Sequence, residues 1–148
     1  MLPQLHRHPW MDSDIQAFRD QVRRYIAAEM APRLPGWREQ GYVPRDTWRP
    51  FGELGFMLPE MGEAYGGAGA SLAYQLVVQD ELTQAEMPNN ATVHSIASHY
   101  IMDYGTEQQK QRWLPKLVLA PSMFIVLVGF YGYILWRSEE HTSELQSH

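Results

Sequence analysis

ATVHSIASHYIMDYGTEQQKQRWLPKL, residues 91–117, carries the most regular pattern in the chain. Val93, Ile96, Ala97, Tyr100, Ile101 and Tyr104 step by threes and fours, the spacing that gathers side chains on one face of an α-helix. Asn89 or Asn90 offers a capping oxygen at the start, and Gly105 stops the run. Thr106 and Gln109 then fit a reciprocal capping box that opens another helix, with Trp113 and Leu114 on it and Pro115 expected to cut it short.

Working outward, Ser13 and Gln16 fit a second capping box before Ile15, Phe18, Val22, Tyr25, Ile26 and Met30, an amphipathic helix. Pro32 and Pro35–Gly36 should end or kink it, because proline lacks an amide donor and collides with the preceding turn. A shorter helix is expected from Asp46 to Leu54, with Gly55 as a left-handed stop. After Pro59 the glycines of Tyr65–Gly66–Gly67–Ala68–Gly69 force a loop. Ser71 can cap the next helix, whose broad stripe of Leu72, Leu76, Val77, Leu82 and Ala85 implies deep burial before Met87–Pro88 closes it. No alternating strand pattern precedes Leu119, so the expected class is all-α, a helical bundle.

With 148 residues, one domain with a real core is expected. A net charge of -5 and scattered basic residues argue against nucleic acid as a partner. Without cysteine there are no disulfides, thiolate metal sites or cysteine nucleophile. Residues 1–12 have neither the apolar run of a signal peptide nor the Arg/Ser richness of a transit peptide; they are expected to be disordered, and the protein cytoplasmic.

Taken in order, FRDQVRRYIAAEMAP, PRDTW, FGELGF, LGFMLPEMGEAYGGAG (54–69) and YGTEQQKQRWLPKL (104–117) resemble the N-terminal helical domain of acyl-CoA dehydrogenases. The resemblance covers residues 13–118. It implies a parent activity that oxidises an acyl-CoA thioester between its α and β carbons and passes a hydride to FAD. It also implies an electron-transfer flavoprotein as acceptor and a homo-oligomer. In that family the base is a glutamate of a C-terminal domain, and the flavin lies largely on a middle domain marked by Thr-Glu-Pro-Gly-x-Gly-Ser-Asp. Neither is present here, so no catalytic residue is assigned, the chain is expected to be inactive alone, and no stable FAD binding is expected. The resemblance places Thr92, Val93 and Ile96 on the wall of the acyl pocket; the alternative is that Val93 and Ile96 are plain core. Other readings are an interaction module that completes an enzyme in trans, or a membrane-anchored helical protein.

Gly67–Ala68–Gly69 lacks the preceding strand and third glycine of a dinucleotide fingerprint and reads as a turn. His94 and His99 miss the spacing of a helical metal pair. His99 and Asp103 share a face and, with Ser95 or Ser98, invite a hydrolase reading, but side chains of one helix do not converge as a triad requires, so a solvated pair is expected. Glu53, Glu60 and Glu63 are expected to be surface charge; His6 and His8 have no role; Trp37, Trp48 and Trp113 are scaffold.

Residues 137–148, RSEEHTSELQSH, resemble the translation of an adapter oligonucleotide used in short-read sequencing; a polar disordered tail is the alternative. From 117 to 136 no residue is charged, and 119–136 form an anomalous apolar segment. It reads as an artefact of the same junction, as a buried segment or, a distant second to artefact, as a membrane span.

Overall fold

The computed structural model describes residues 10–87 and 91–119, with only the backbone described for 91–93. The expectations on residues 1–9, His6 and His8 included, on Pro88, Asn89 and Asn90, and on 120–148 lie outside the described residues. The described residues form helices joined by turns, with no strand.

Helix α1 spans Ser13–Tyr25, but Ser13 does not cap it. Asp12 does, its Oδ1 accepting from the amides of Asp14 and Ile15 at 3.0 and 2.8 Å. A carboxylate there also faces the positive end of the helix dipole, which a hydroxyl does not exploit. Gln16 turns away from the cap and donates to Asp20. Pro32 neither ends the helical path nor bends it at one point. The path widens into a π-turn over Ile26–Met30, where the Ala31 amide reaches the Ile26 carbonyl, and tightens into a 3-10 turn over Ala31–Arg33. A proline cannot donate to the carbonyl four residues back, and changing the pitch accommodates that missing bond. The chain then continues as α2, Leu34–Gln40, an unexpected helix.

Helix α3, Arg45–Glu53, starts after Pro44 and holds Pro50 in its interior. Gly55 takes the left-handed conformation expected of it, φ 76°. Helix α4, Leu72–Gln84, follows Ser71, which stands at the cap position without a side-chain hydrogen bond to it. Val77, Val78 and Leu82 are buried there, but Leu72 and Leu76 are exposed, so the stripe is narrower than its composition implied. Gln75 and Glu81 take buried positions instead. Glu81 is tolerated because Arg19 and Arg23 of α1 grip its carboxylate at 2.6 and 2.8 Å, holding it below the usual carboxylate range despite its burial. Arg19 also pairs with Asp80, so charge joins α1 to α4 along one edge.

Helix α5 is Ala91–Tyr104 and α6 is Glu107–Leu119. Thr106 and Gln109 form the expected reciprocal cap, Thr106 N to Gln109 Oε1 at 2.8 Å and Gln109 N to Thr106 Oγ1 at 3.3 Å. Pro115 does not truncate α6: Leu114, Leu117 and Val118 are all buried, and their burial outweighs one lost helical hydrogen bond. The two helices are stitched at His94, 3% exposed, whose Nε2–H donates to the Leu117 carbonyl at 2.9 Å. Ser98, fully buried, donates back to the His94 carbonyl at 2.8 Å.

The core lies between α1, α2, α3, α4, α6 and the turn after α3. Phe18, Tyr25, Trp48, Phe51 and Phe56 meet at centroid distances of 5.3–5.9 Å, mostly edge to face, a geometry worth about 0.5–1.5 kcal/mol per pair beyond buried area. Trp37 and Trp48 are buried scaffold as expected; Trp113 is half-buried, with Arg112 and Lys116 over its ring. Where α3 crosses α6, Gly52 lies so close that an added Cβ would overlap the carbonyls of Val118 and Leu119.

Gly52→Ala should therefore force α3 from α6 and destabilise the fold by about 1–3 kcal/mol, read as a lowered urea midpoint. A pH test follows from His94. Burial lowers its pKa from 6.5 to about 4, partly countered by the Leu117 hydrogen bond, and its Nδ1 has no partner. The unfolded chain thus takes up the proton first, so stability should decline as pH falls from 6.5 to about 4, by on the order of 3 kcal/mol at most. In His94→Gln that part of the decline should vanish from thermal unfolding curves.

Candidate functional site

Helix α5 has an inverted polarity. Its inner face is His94, Ser95 and Ser98, all buried, while Ile96, Tyr100 and Tyr104 are 52%, 54% and 75% exposed. These three recur every fourth residue and so form one ridge, and the Tyr100 and Tyr104 rings lie 5.9 Å apart. Ile101 and Met102 reach the core from the flank. The alternative reading of Ile96 as plain core therefore does not hold, and Tyr100 and Tyr104 share its exposure. Periodicity reveals that a helix has an apolar face, but the stitch to Leu117 decides where that face points.

Of the sequence-derived pocket residues, Thr92 and Val93 fall within α5, with side chains outside the described residues. Ile96 is described, and it stands on the outward ridge rather than in the core.

Beside α5 lies the turn that follows α3. Leu58 is buried in a left-handed conformation, φ 51°, a strained arrangement for a branched residue, and it turns the chain so that Pro59 and Glu60 face inward. Glu60 is not surface charge: its side chain is 7% exposed, and its carboxyl oxygens have no hydrogen-bond partner. Burial pushes its pKa up, countered in part by its own backbone amide and by His99. His99 does not form a solvated pair with Asp103; its Nδ1 lies 2.8 Å from the Ser95 carbonyl and its Nε2 lies 3.6 Å from Glu60 Oε1. Glu53 and Glu63 are exposed as expected, Glu53 pairing with Arg49 at 3.0 Å. Nothing in the sequence marks Glu60 as different from these two, because its burial comes from a turn that closes under α5.

The glycine loop folds on itself. The amides of Ala68 and Ala70 donate to the Pro59 carbonyl, Gly69 to Met61 and Gly67 to Gly62. A Cβ on Gly67 would overlap the Met61 backbone. Tyr65 donates to Glu107 at 3.0 Å, tying the loop to the first turn of α6. A loop that cradles pyrophosphate must present free amides, and these are spent internally, so the stretch does not fit the phosphates of a flavin dinucleotide. No group of three or more metal-ligating side chains occurs among the described residues, and no helix there is long and apolar enough to cross a membrane. Beside the π-turn, Tyr25, Glu29, Met30, Arg33, Asp46, Thr47 and Pro50 line an open cleft of about 290 Å³, which no sequence pattern announced. Glu29 and Arg33 face each other there at 3.6 Å.

The geometry agrees with known proteins. The family model described as the N-terminal domain of acyl-CoA dehydrogenase matches residues 12–120. The chain is 33% identical over 110 residues to (2S)-methylsuccinyl-CoA dehydrogenase of Cereibacter sphaeroides, covering 72% of this chain and 20% of that protein. It is 30% identical over 110 residues to mitochondrial isobutyryl-CoA dehydrogenase of Dictyostelium discoideum, covering 73% and 26%. Among solved structures, an acyl-CoA dehydrogenase from Geobacillus kaustophilus superposes with a TM-score of 0.71 at 35% identity, covering 75% of this chain and 30% of that one. A glutaryl-CoA dehydrogenase from Mycobacterium smegmatis, in complex with FADH2, gives 0.67 at 28% identity, covering 73% and 28%. The chain thus spans less than a third of each of these proteins. The family model's match to residues 12–120 and the superposition on a solved acyl-CoA dehydrogenase place this chain in the acyl-CoA dehydrogenase family, as its N-terminal helical domain.

Proposed function

We propose that these residues supply the scaffold and one wall of the acyl pocket of an FAD-dependent acyl-CoA dehydrogenase, and that they do not catalyse alone. The observation that carries this reading is the outward ridge of α5. An apolar ridge that the domain's own core leaves uncovered suits contact with an aliphatic tail. Thr92, Val93 and Ile96 are the proposed pocket residues. In α5, Thr92 and Ile96 are one helical turn apart, and Val93 is three residues before Ile96.

In this proposal the chemistry belongs to the remainder of the enzyme. Proton removal at the α carbon needs a positioned carboxylate and hydride removal at the β carbon needs the flavin. Neither is assigned to a residue of this chain, and FAD is not expected to bind it stably. Acyl-CoA as substrate, an electron-transfer flavoprotein as acceptor and homo-oligomeric assembly are proposed for the full-length protein by its family. The Mycobacterium smegmatis relative, solved with FADH2, supports a flavin as the cofactor.

Two measurements test this. The purified 148-residue chain should show no flavin absorbance and no acyl-CoA-dependent dye reduction, and turnover by it alone would contradict the proposal. Residues 12–120 should also replace the corresponding segment of the Geobacillus kaustophilus enzyme with activity retained. In that chimera Ile96→Trp should raise KM for long acyl-CoA substrates about tenfold relative to short ones, the discrimination expected from filling an apolar pocket. An unchanged chain-length preference would remove Ile96 from the pocket wall.

A further inference from the structure

A buried carboxyl to which no other residue donates a hydrogen bond is an unstable arrangement unless a proton neutralises it. The ring beside Glu60 constrains where such a proton sits. The Ser95 carbonyl can only accept, and its 2.8 Å contact, shorter than the 3.4 Å approach of the Ser95 hydroxyl, assigns hydrogen to His99 Nδ1. A neutral ring with hydrogen on Nδ1 presents the lone pair of Nε2 to Glu60 Oε1, 3.6 Å away. Lone pair against carboxylate is repulsive. A proton held on the Glu60 carboxyl removes the conflict.

We propose that the buried Glu60 carboxyl keeps its proton and turns it toward His99 Nε2, forming a clasp that fastens the turn after α3 to α5 and loosens when the proton leaves. From α5 the facing group is His99, and its charge is the one that acts on the Glu60 carboxyl. Asp103, one turn further along α5, is exposed to solvent; Glu53 is engaged by Arg49, and Glu63 is exposed on its own loop. The clasp joins two parts of different character. On one side is the turn strained at Leu58 and locked into the glycine loop through Pro59 and Met61; on the other is the helix whose roll sets the direction of Ile96, Tyr100 and Tyr104. Proton loss at this point therefore acts on the orientation of the outward ridge. The clasp stands whether or not Ile96 walls an acyl pocket.

The carboxyl is raised above its ordinary value of 4.5 by burial, so the folded chain keeps a proton that the unfolded chain releases. The stability gained is complete below pH 4.5 and is lost as pH rises through the raised value. In Glu60→Gln the amide donates to His99 Nε2 without needing a proton. Urea unfolding of the full chain between pH 4.5 and 8 should show the wild-type folding constant falling relative to Glu60→Gln, by up to tenfold per pH unit where the proton is released. Nitrogen NMR of the wild-type chain supplies a readout that does not depend on the variant folding: the His99 Nδ1 should carry hydrogen at every pH at which the chain is folded. Parallel pH profiles for the two proteins, or a His99 ring with bare Nδ1 and hydrogen on Nε2 alone at neutral pH, would overturn the clasp.

Discussion

The hydrogen bond from His94 to the Leu117 carbonyl sets the roll of α5, and the direction of its apolar ridge depends on that roll. With His94 turned inward, Ser98 seats fully buried one turn later, and its small side chain lets the helix approach. Ile96, Tyr100 and Tyr104 are then carried to the outside by helical geometry alone. The same bond draws on α6, where Leu117 and Val118 are buried and where the backbone meets Gly52 of α3. One polar contact thus links the core crossing to the outward ridge.

Much of this could be read from the chain itself, for local reasons. Gly55, the Thr106–Gln109 cap and the all-helical class depend on interactions within a few residues, which sequence encodes directly. Prolines were harder. Pro32 and Pro115 each remove one donor, a local fact, but whether the helix stops depends on what lies beyond them. Leu34 and Trp37 after the first, and Leu117 and Val118 after the second, gain enough burial to carry the helical path through. The capping error at Ser13 was also local: two adjacent residues could cap, and the charged one did.

The direction of the apolar face of α5 was not readable. An apolar stripe destined for the core and one destined for a substrate or another domain have the same spacing, and only the tertiary polar contact at His94 separates them. Leu72 and Leu76 on α4 were misread for a related reason, because Arg19 and Arg23 commit the buried side of that helix to Glu81. Glu60 was hidden too, since nothing local distinguishes a carboxylate that a strained turn folds inward from its exposed neighbours. Family motifs pointed to α5 as the proposed pocket wall, and the orientation of that helix was not legible.

The chain contains no cysteine, so single cysteines can report the two faces of α5 without background. Thiol labelling of Ile96→Cys and Ser98→Cys in the folded 148-residue chain tests the roll of the helix directly. The account predicts that Ile96→Cys reacts nearly as fast as the urea-unfolded protein, while Ser98→Cys is protected at least a hundredfold, roughly the population of globally or locally opened chains at marginal stability. Equal rates at the two positions, or protection of Ile96→Cys with free reaction of Ser98→Cys, would contradict it.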